Sequence, residues 1–380
     1  MSESFSRSAA RTGILAGWRG TFAGFALAAI LLFAVAPAFL SDFRLNLLAK
    51  FLCFAMVAAG IGLAWGRGGM LTLGQGVFFA IGAYVMAMHL KIADADLRGD
   101  DVPDFMQIAG IRELPSYWTP FASPIVTILA IAVLPAAIAA LLGFGVFKRR
   151  VKGAYFAILS QALAAALAIF LTGQQSIGGF TGLNRFRTFF GFNLSDPANK
   201  RMLFFIAAGT LLVIVAITRQ LMYSRYGELL VAVRDQEERV RFLGYDPANI
   251  KVVAFTVAAF FAGIAGALFV PIVGIISPAD VGVVPSIAFL IGVAIGGRAT
   301  LLGPVLGAIG VVWAQSSFSE RFPSGWVYLQ GALFIVVVGF FPAGIAGIWA
   351  LRHRLKMQRK QTPPPEPVDE HSDHVPVEAR

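Results

Sequence analysis

Thr72, Gln75, Ser160, Gln161, Gln315 and Ser316 are neutral hydrogen-bonding side chains set in otherwise apolar stretches. Such groups can donate to and accept from a neutral polar molecule without supplying a counter-charge, which makes the first five candidates for the lining of a translocation pathway. They can equally join one helix to another, at about 0.6 kcal/mol per contact on average. A second constellation is ionic and lies between Tyr223 and Lys251. There Asp235 precedes Arg239, and Glu237 precedes Arg241, each by four positions. That spacing pairs acid with base on one helical face, for a few tenths of a kcal/mol. Bond-making equipment is missing: no GxxxxGK[ST] phosphate loop, HExxH, CxxC or GxSxG occurs. The one cysteine, Cys53, sits in an apolar run and can form no internal disulfide.

The elements that must carry these groups follow from composition. The chain has 380 residues, 57% of them hydrophobic and 14% charged, against roughly 25% charged in soluble domains. Apolar runs long enough to cross a bilayer as helices predict ten spans, near 20–40, 45–65, 70–90, 121–147, 153–172, 201–219, 250–271, 283–297, 301–317 and 327–342. The run at 283–297 is short. The runs are continuous, whereas a membrane barrel would show short alternating segments. An all-α integral membrane protein is the expected class. No cleavable signal pattern precedes the first span, which is expected to remain.

Orientation follows from basic residues, which favour the cytoplasmic side. With ten spans, four clusters share that side: Arg7, Arg11 and Arg19; Lys148, Arg149, Arg150 and Lys152; Arg219 through Lys251; and Arg352 through Lys360. Both termini are then cytoplasmic. The net charge of +10 reflects these clusters. The external loop 91–120 is acidic, with Asp94, Asp96, Asp100, Asp101, Asp104 and Glu113. The spans themselves are read as nearly free of acids, which argues against a proton-coupled carrier. The division is a cytoplasmic segment 1–19, a membrane domain 20–350, and a tail 351–380 that is first basic and then rich in proline and acid. That tail, with His371 and His374, is expected to be disordered.

The loop 219–250 is predicted to hold a helix, with Leu229, Val233, Val240 and Leu243 as its apolar stripe, Gln236 interrupting it and Gly244 ending it. Asp246 and Pro247 read as the cap and first residue of the next helix. On pattern alone the loop helix either lies on the protein's own surface or docks a cytoplasmic partner.

Several motifs in order resemble the permeases of branched-chain amino acid and urea ATP-binding-cassette importers. They are GLAWGRGGMLTLGQGVFFAIGAYV at 62–85, SIGGFTGLNRF at 176–186, VAVRDQEERVRFLGYDPANIK and its continuation to Asp280 from 231, and GGRATLLGPVLGAIG at 296–310. Within that family, RVRFLGY followed by FVPIVGIISP is most similar to the second permease subunit of the urea importer. The resemblance covers about 45–350. It implies a type II-like importer fold of roughly ten spans in the bacterial inner membrane, no catalytic residue and no bound cofactor. It also implies a homologous permease partner, two ATP-binding subunits below and a periplasmic binding protein above. On this resemblance the loop helix is a coupling helix that contacts the ATPase through Arg234, Asp235, Glu237, Glu238, Arg239, Leu243 and Gly244. Urea is the expected cargo, with a branched-chain amino acid as the alternative within the family and a stand-alone carrier or channel as the alternative outside it.

Overall fold

Proline and glycine set most of the helix boundaries. The computed structural model describes residues 23–340 and 344, apart from 152, 299, 320, 321, 323 and 324. The segment 1–19 and the tail 351–380, with its histidines and basic cluster, lie outside the described residues. In chain order the helices are α1 (Ala23–Phe39) and α2 (Asp42–Arg67); α3 (Gln75–Asp96), α4 (Asp104–Ile108), α5 (Pro124–Phe147) and α6 (Ala154–Gly173); α7 (Pro197–Met222), α8 (Arg225–Phe242) and α9 (Pro247–Val273); and α10 (Val283–Gly296), α11 (Leu302–Ser319) and α12 (Gly325–Phe340). Helices α5, α7 and α9 each open on proline, whose missing N–H costs nothing at a first turn.

A helix stands at each of the ten predicted spans. Among the described residues seven segments are long and apolar enough to cross a membrane: α2, α3, α5, α6, α7, α9, and α10 with its preceding turn. At the other three positions α1 and α12 are shorter, and α11 is less apolar over the described residues. The third span departs from expectation. Residues 70–74 are not helical, and the helix instead runs from Gln75 to Asp96. Gly74 faces the Ser160 carbonyl too closely for a side chain, so this non-helical stretch packs directly on α6.

The core forms around α9, which packs on α2, α3 and α5. Its approach to α3 is a backbone contact. A Cβ on Gly82 would stand 1.9 Å from the Gly263 carbonyl oxygen, and one on Gly266 1.9 Å from that of Phe79. Small residues permit such crossings in lipid, where packing rather than hydrophobicity joins helices. Beside the crossing, Phe54, Phe79, Phe269 and Phe289 cluster with tilted rings. Two glycine-rich stretches, 60–82 and 292–310, meet each other. Gly62 abuts Pro304, and Gly66 leaves no room for a Cβ beside the Arg298 carbonyl.

The face opposite the basic turns is capped by short elements. β1 (Leu183–Asn184) pairs antiparallel with β4 (Ile275–Ile276), and β2 (Thr188–Phe189) with β3 (Phe192–Asn193). The latter hairpin turns through Phe190 at φ 46° and Gly191 at φ 89°, the positive values that a tight hairpin needs. The last turns of α3 pin this cap. His89 Nδ1 lies 2.8 Å from the Phe121 carbonyl oxygen, and Lys91 donates to Asp104 at 2.9 Å. Asp94 accepts from the Arg187 and Thr188 amides and from the Thr188 hydroxyl. All three side chains are buried. Lys91, Asp94 and Asp96, expected in an external loop, therefore belong to a helix, and that span does carry acids. The spans read as nearly free of acids thus have an exception at the end of α3. The carboxylate of Asp94 is tolerated because three donors replace its water.

Candidate functional site

Ser224 starts α8 by accepting from the Gly227 amide, an N-cap arrangement. Leu230, Val233 and Val240 turn inward and are buried. The helix is not continuous. Gln236 has φ −147° and ψ 73°, which breaks it where the sequence stripe was interrupted and resets its phase. Two apolar positions depart from expectation, the second of them beyond the break. Leu229 is only half-buried, with Leu230 taking the inner position, and Leu243 is 71% exposed. Asp235 pairs with its neighbour Arg234 at 2.8 Å rather than with Arg239 across the break. The pair after the break does form, with Arg241 3.4 Å from Glu237. Gly244, at φ 87°, closes the second segment; its amide reaches the Arg241 carbonyl and that of Tyr245 the Val240 carbonyl. This is a glycine stop that satisfies the last carbonyls.

The residues proposed from sequence as one docking set divide into two groups. Arg234 and Glu237 are fastened to the protein itself. Arg234 donates 2.8 Å to the Gly66 carbonyl at the end of α2, and Glu237 accepts 2.7 Å from Lys251 in the first turns of α9. Asp235, Glu238, Arg239, Leu243 and Gly244 face outward. So does Phe242, at 91% exposure, with Tyr245 at 51% beside Leu243. Sequence reasoning missed Phe242. The available signal was an aromatic residue off the buried stripe in a loop otherwise rich in charge. Arg234 holds the Asp235 carboxyl below its usual range through its hydrogen bond, and burial pushes the Tyr226 phenol upward. The Tyr226 hydroxyl donates to the Ile250 carbonyl at 2.7 Å, a further tie between α8 and α9. A cleft of about 310 Å³ remains between α8, the 68–70 turn and the α5–α6 turn, lined by Gly69, Val233, Arg234, Glu237 and Lys251 among others.

Asp246 caps α9 by accepting from the Ala248 amide at 3.0 Å, as its sequence predicts, and it also accepts from Lys148 in the α5–α6 turn. Two of the basic clusters thus share one face. Lys148 keeps the Asp246 carboxyl below its ordinary range. A depressed carboxyl contributes stability above its unfolded pKa, and that contribution is lost as pH falls through the folded value. Asp246→Ala is expected to cost about 1 kcal/mol through the lost cap, and Asp246→Asn less than half of that, because the exposed ion pair adds little. Thermal unfolding of the purified variants at neutral pH checks the difference.

Of the candidate pathway residues, Thr72, Gln75 and Ser160 come together. The Leu73 amide donates to Ser160 Oγ at 3.1 Å, and Gln75 Nε2 donates to Thr72 Oγ1 at 3.3 Å. All three are buried. Ser160 is therefore engaged in tying α6 to the non-helical stretch that precedes α3. Gln161 differs: both its amide atoms are buried without a protein partner among the described residues, as is Gln75 Oε1. Gln315 lies half-buried on the separate helix α11. Among the described residues no group of His, Cys, Asp and Glu could hold a metal ion.

Comparison with known proteins places this architecture. Residues 43–338 match the family described as the permease component of the branched-chain amino acid transport system. The chain is similar to the high-affinity branched-chain amino acid transport system permease protein LivM of Escherichia coli (strain K12), with 28% identity across 87% of this chain and 76% of that protein. It is similar to LivM of Salmonella typhimurium (strain LT2), with 27% identity across 88% and 77%. The permease protein LivH of the same Salmonella strain is 23% identical across 77% of this chain and 91% of its own length. No solved structure matches. With the family spanning most of its length and its apolar helices suited to a bilayer, the chain belongs to the branched-chain amino acid transport system permease family, whose members are membrane components of ATP-binding-cassette transporters and not enzymes.

Proposed function

We propose that this chain is one of two homologous permease subunits enclosing the pathway of an importer in the bacterial inner membrane, with both termini in the cytoplasm. Two ATP-binding subunits dock below and a periplasmic binding protein delivers cargo from above. The observation that carries this reading is the build of α8. Its tip presents Phe242 and Leu243 to solvent, while its inner face is tied to α2 through Arg234 and to α9 through Glu237. A displacement imposed at the tip therefore reaches α9 directly through Glu237, and α2 through Arg234 on the other side of the break at Gln236. That is the two-state element which ATP binding and hydrolysis by the partners would bias, without nucleotide touching this chain.

The similarity to LivM and LivH, permeases of the high-affinity branched-chain amino acid transport system, supports a branched-chain amino acid as cargo. Urea is the second reading. It is favoured by the likeness of Arg239–Tyr245 and Phe269–Pro278 to the urea importer's permease, and by the unpartnered amide of Gln161, whose donor and acceptor suit a small amide. Uptake of radiolabelled leucine and urea at micromolar concentration, in source cells with the gene deleted and then restored, separates the two. Loss and recovery of ATP-dependent leucine uptake supports the first reading. Loss of urea uptake with leucine uptake untouched moves the assignment to the second. ATP-independent uptake by the purified chain in liposomes would instead make it a stand-alone carrier.

A further inference from the structure

Arg67 ends α2, and Arg219 lies in the last turn of α7, so both stand where spanning helices leave the membrane on the basic face. Both guanidinium groups address one ring. The Arg67 carbon lies 6.0 Å and the Arg219 carbon 5.0 Å from the centroid of Tyr223, which is 69% exposed. Arg67 Nε is buried with no hydrogen-bond partner, and among the described residues no carboxylate pairs with Arg67. Cations gathered on one aromatic face attract an anion, and the guanidinium forks, whose planar geometry matches phosphate oxygens, would engage it while offsetting the charge of Arg67. The level is that of lipid headgroups. Tyr223 immediately follows the last apolar turn of α7, the position where tyrosine and arginine settle at a membrane interface. The inner leaflet supplies anionic headgroups at that depth.

We propose that Arg67, Arg219 and Tyr223 form a site for the phosphate of an anionic phospholipid headgroup. The site depends neither on the cargo nor on the ATPase partners. The test uses the full chain in detergent, with native mass spectrometry of bound lipid after addition of phosphatidylglycerol or phosphatidylcholine, and with inorganic phosphate as a competitor. The expected result is selective retention of phosphatidylglycerol that falls about fivefold for each of Arg67→Gln and Arg219→Gln. Arg201→Gln on the opposite face, where Arg201 pairs with Asp42, should leave it unchanged. Should the half-buried Arg67 prove necessary for folding, Arg219→Gln and Tyr223→Leu carry the test alone. Equal retention of both lipids, or phosphatidylglycerol retention unaltered in Arg219→Gln and Tyr223→Leu, would overturn the proposal. Complete displacement by millimolar inorganic phosphate would also overturn it, by assigning the site to a free anion.

Discussion

Replacing Phe242 and Leu243 together with alanine is expected to cut ATP-driven uptake at least about 30-fold while leaving the chain's abundance in the membrane unchanged. The size follows from the character of the patch. Buried aromatic anchors at an interface commonly carry about 2 kcal/mol or more each, and 2 kcal/mol is about 30-fold in affinity. The sparing of folding follows from exposure: Phe242 and Leu243 are 91% and 71% accessible, so truncation leaves no cavity in this chain. Uptake assays beside immunoblots of the membrane fraction check both halves. Charge removal at Glu238 and Arg239 is expected to matter less, since exposed pairs at a rim govern association rate more than affinity.

The second large effect concerns folding. Gly266→Ala should destabilise the chain by about 3 kcal/mol, at the upper end of what overpacking costs. Its new methyl would meet the Phe79 carbonyl at 1.9 Å, with the Ala83 amide at 3.1 Å, and all of these are backbone atoms in spanning helices. Neither helix can yield without disturbing α2 and α5, which pack on α9 as well. Gly145→Ala is the control. It lies in α5 with nothing within 4 Å of the added carbon, so helix propensity should make it neutral or slightly stabilising. Thermal unfolding in detergent should separate the two variants by well over the experimental scatter. Equal melting temperatures would remove the close crossing from the account.

Much of this was legible in the sequence, for physical reasons that can be named. Long apolar runs mark helices in lipid because the backbone has no other partner there, so a helix stands at every span expected. The cap at Asp246 and the stop at Gly244 are local chemistry and read directly, whereas the cap at Ser224 emerged only in the structure. The break at Gln236 was visible as an interrupted stripe, but its consequence was not: which apolar residues face outward depends on the phase after the break. Phe242 was lost for that reason. The internal use of Arg234 and Glu237 was lost because their partners, Gly66 and Lys251, are contacts of the tertiary fold, and Gly66 is 168 positions away. The extension of α3 to Asp96 was misread because hydropathy counts Lys91 and Asp94 as polar. Only the cap above them shows that each charge is met by an opposite charge or by hydrogen-bond donors.

The central claim is that the tip of α8 is where ATP-derived motion enters this chain. Site-specific cross-linking tests it most directly. Cys53 is fully buried, so a Phe242→Cys variant offers one reactive thiol for a short benzophenone maleimide in native membranes. The account predicts a covalent adduct with the co-purifying ATP-binding subunit, with a yield that changes on adding a non-hydrolysable ATP analogue, and no such adduct from Phe192→Cys on the opposite face. An assembled complex in which position 242 labels only lipid, or labels no ATP-binding subunit at all, would contradict it.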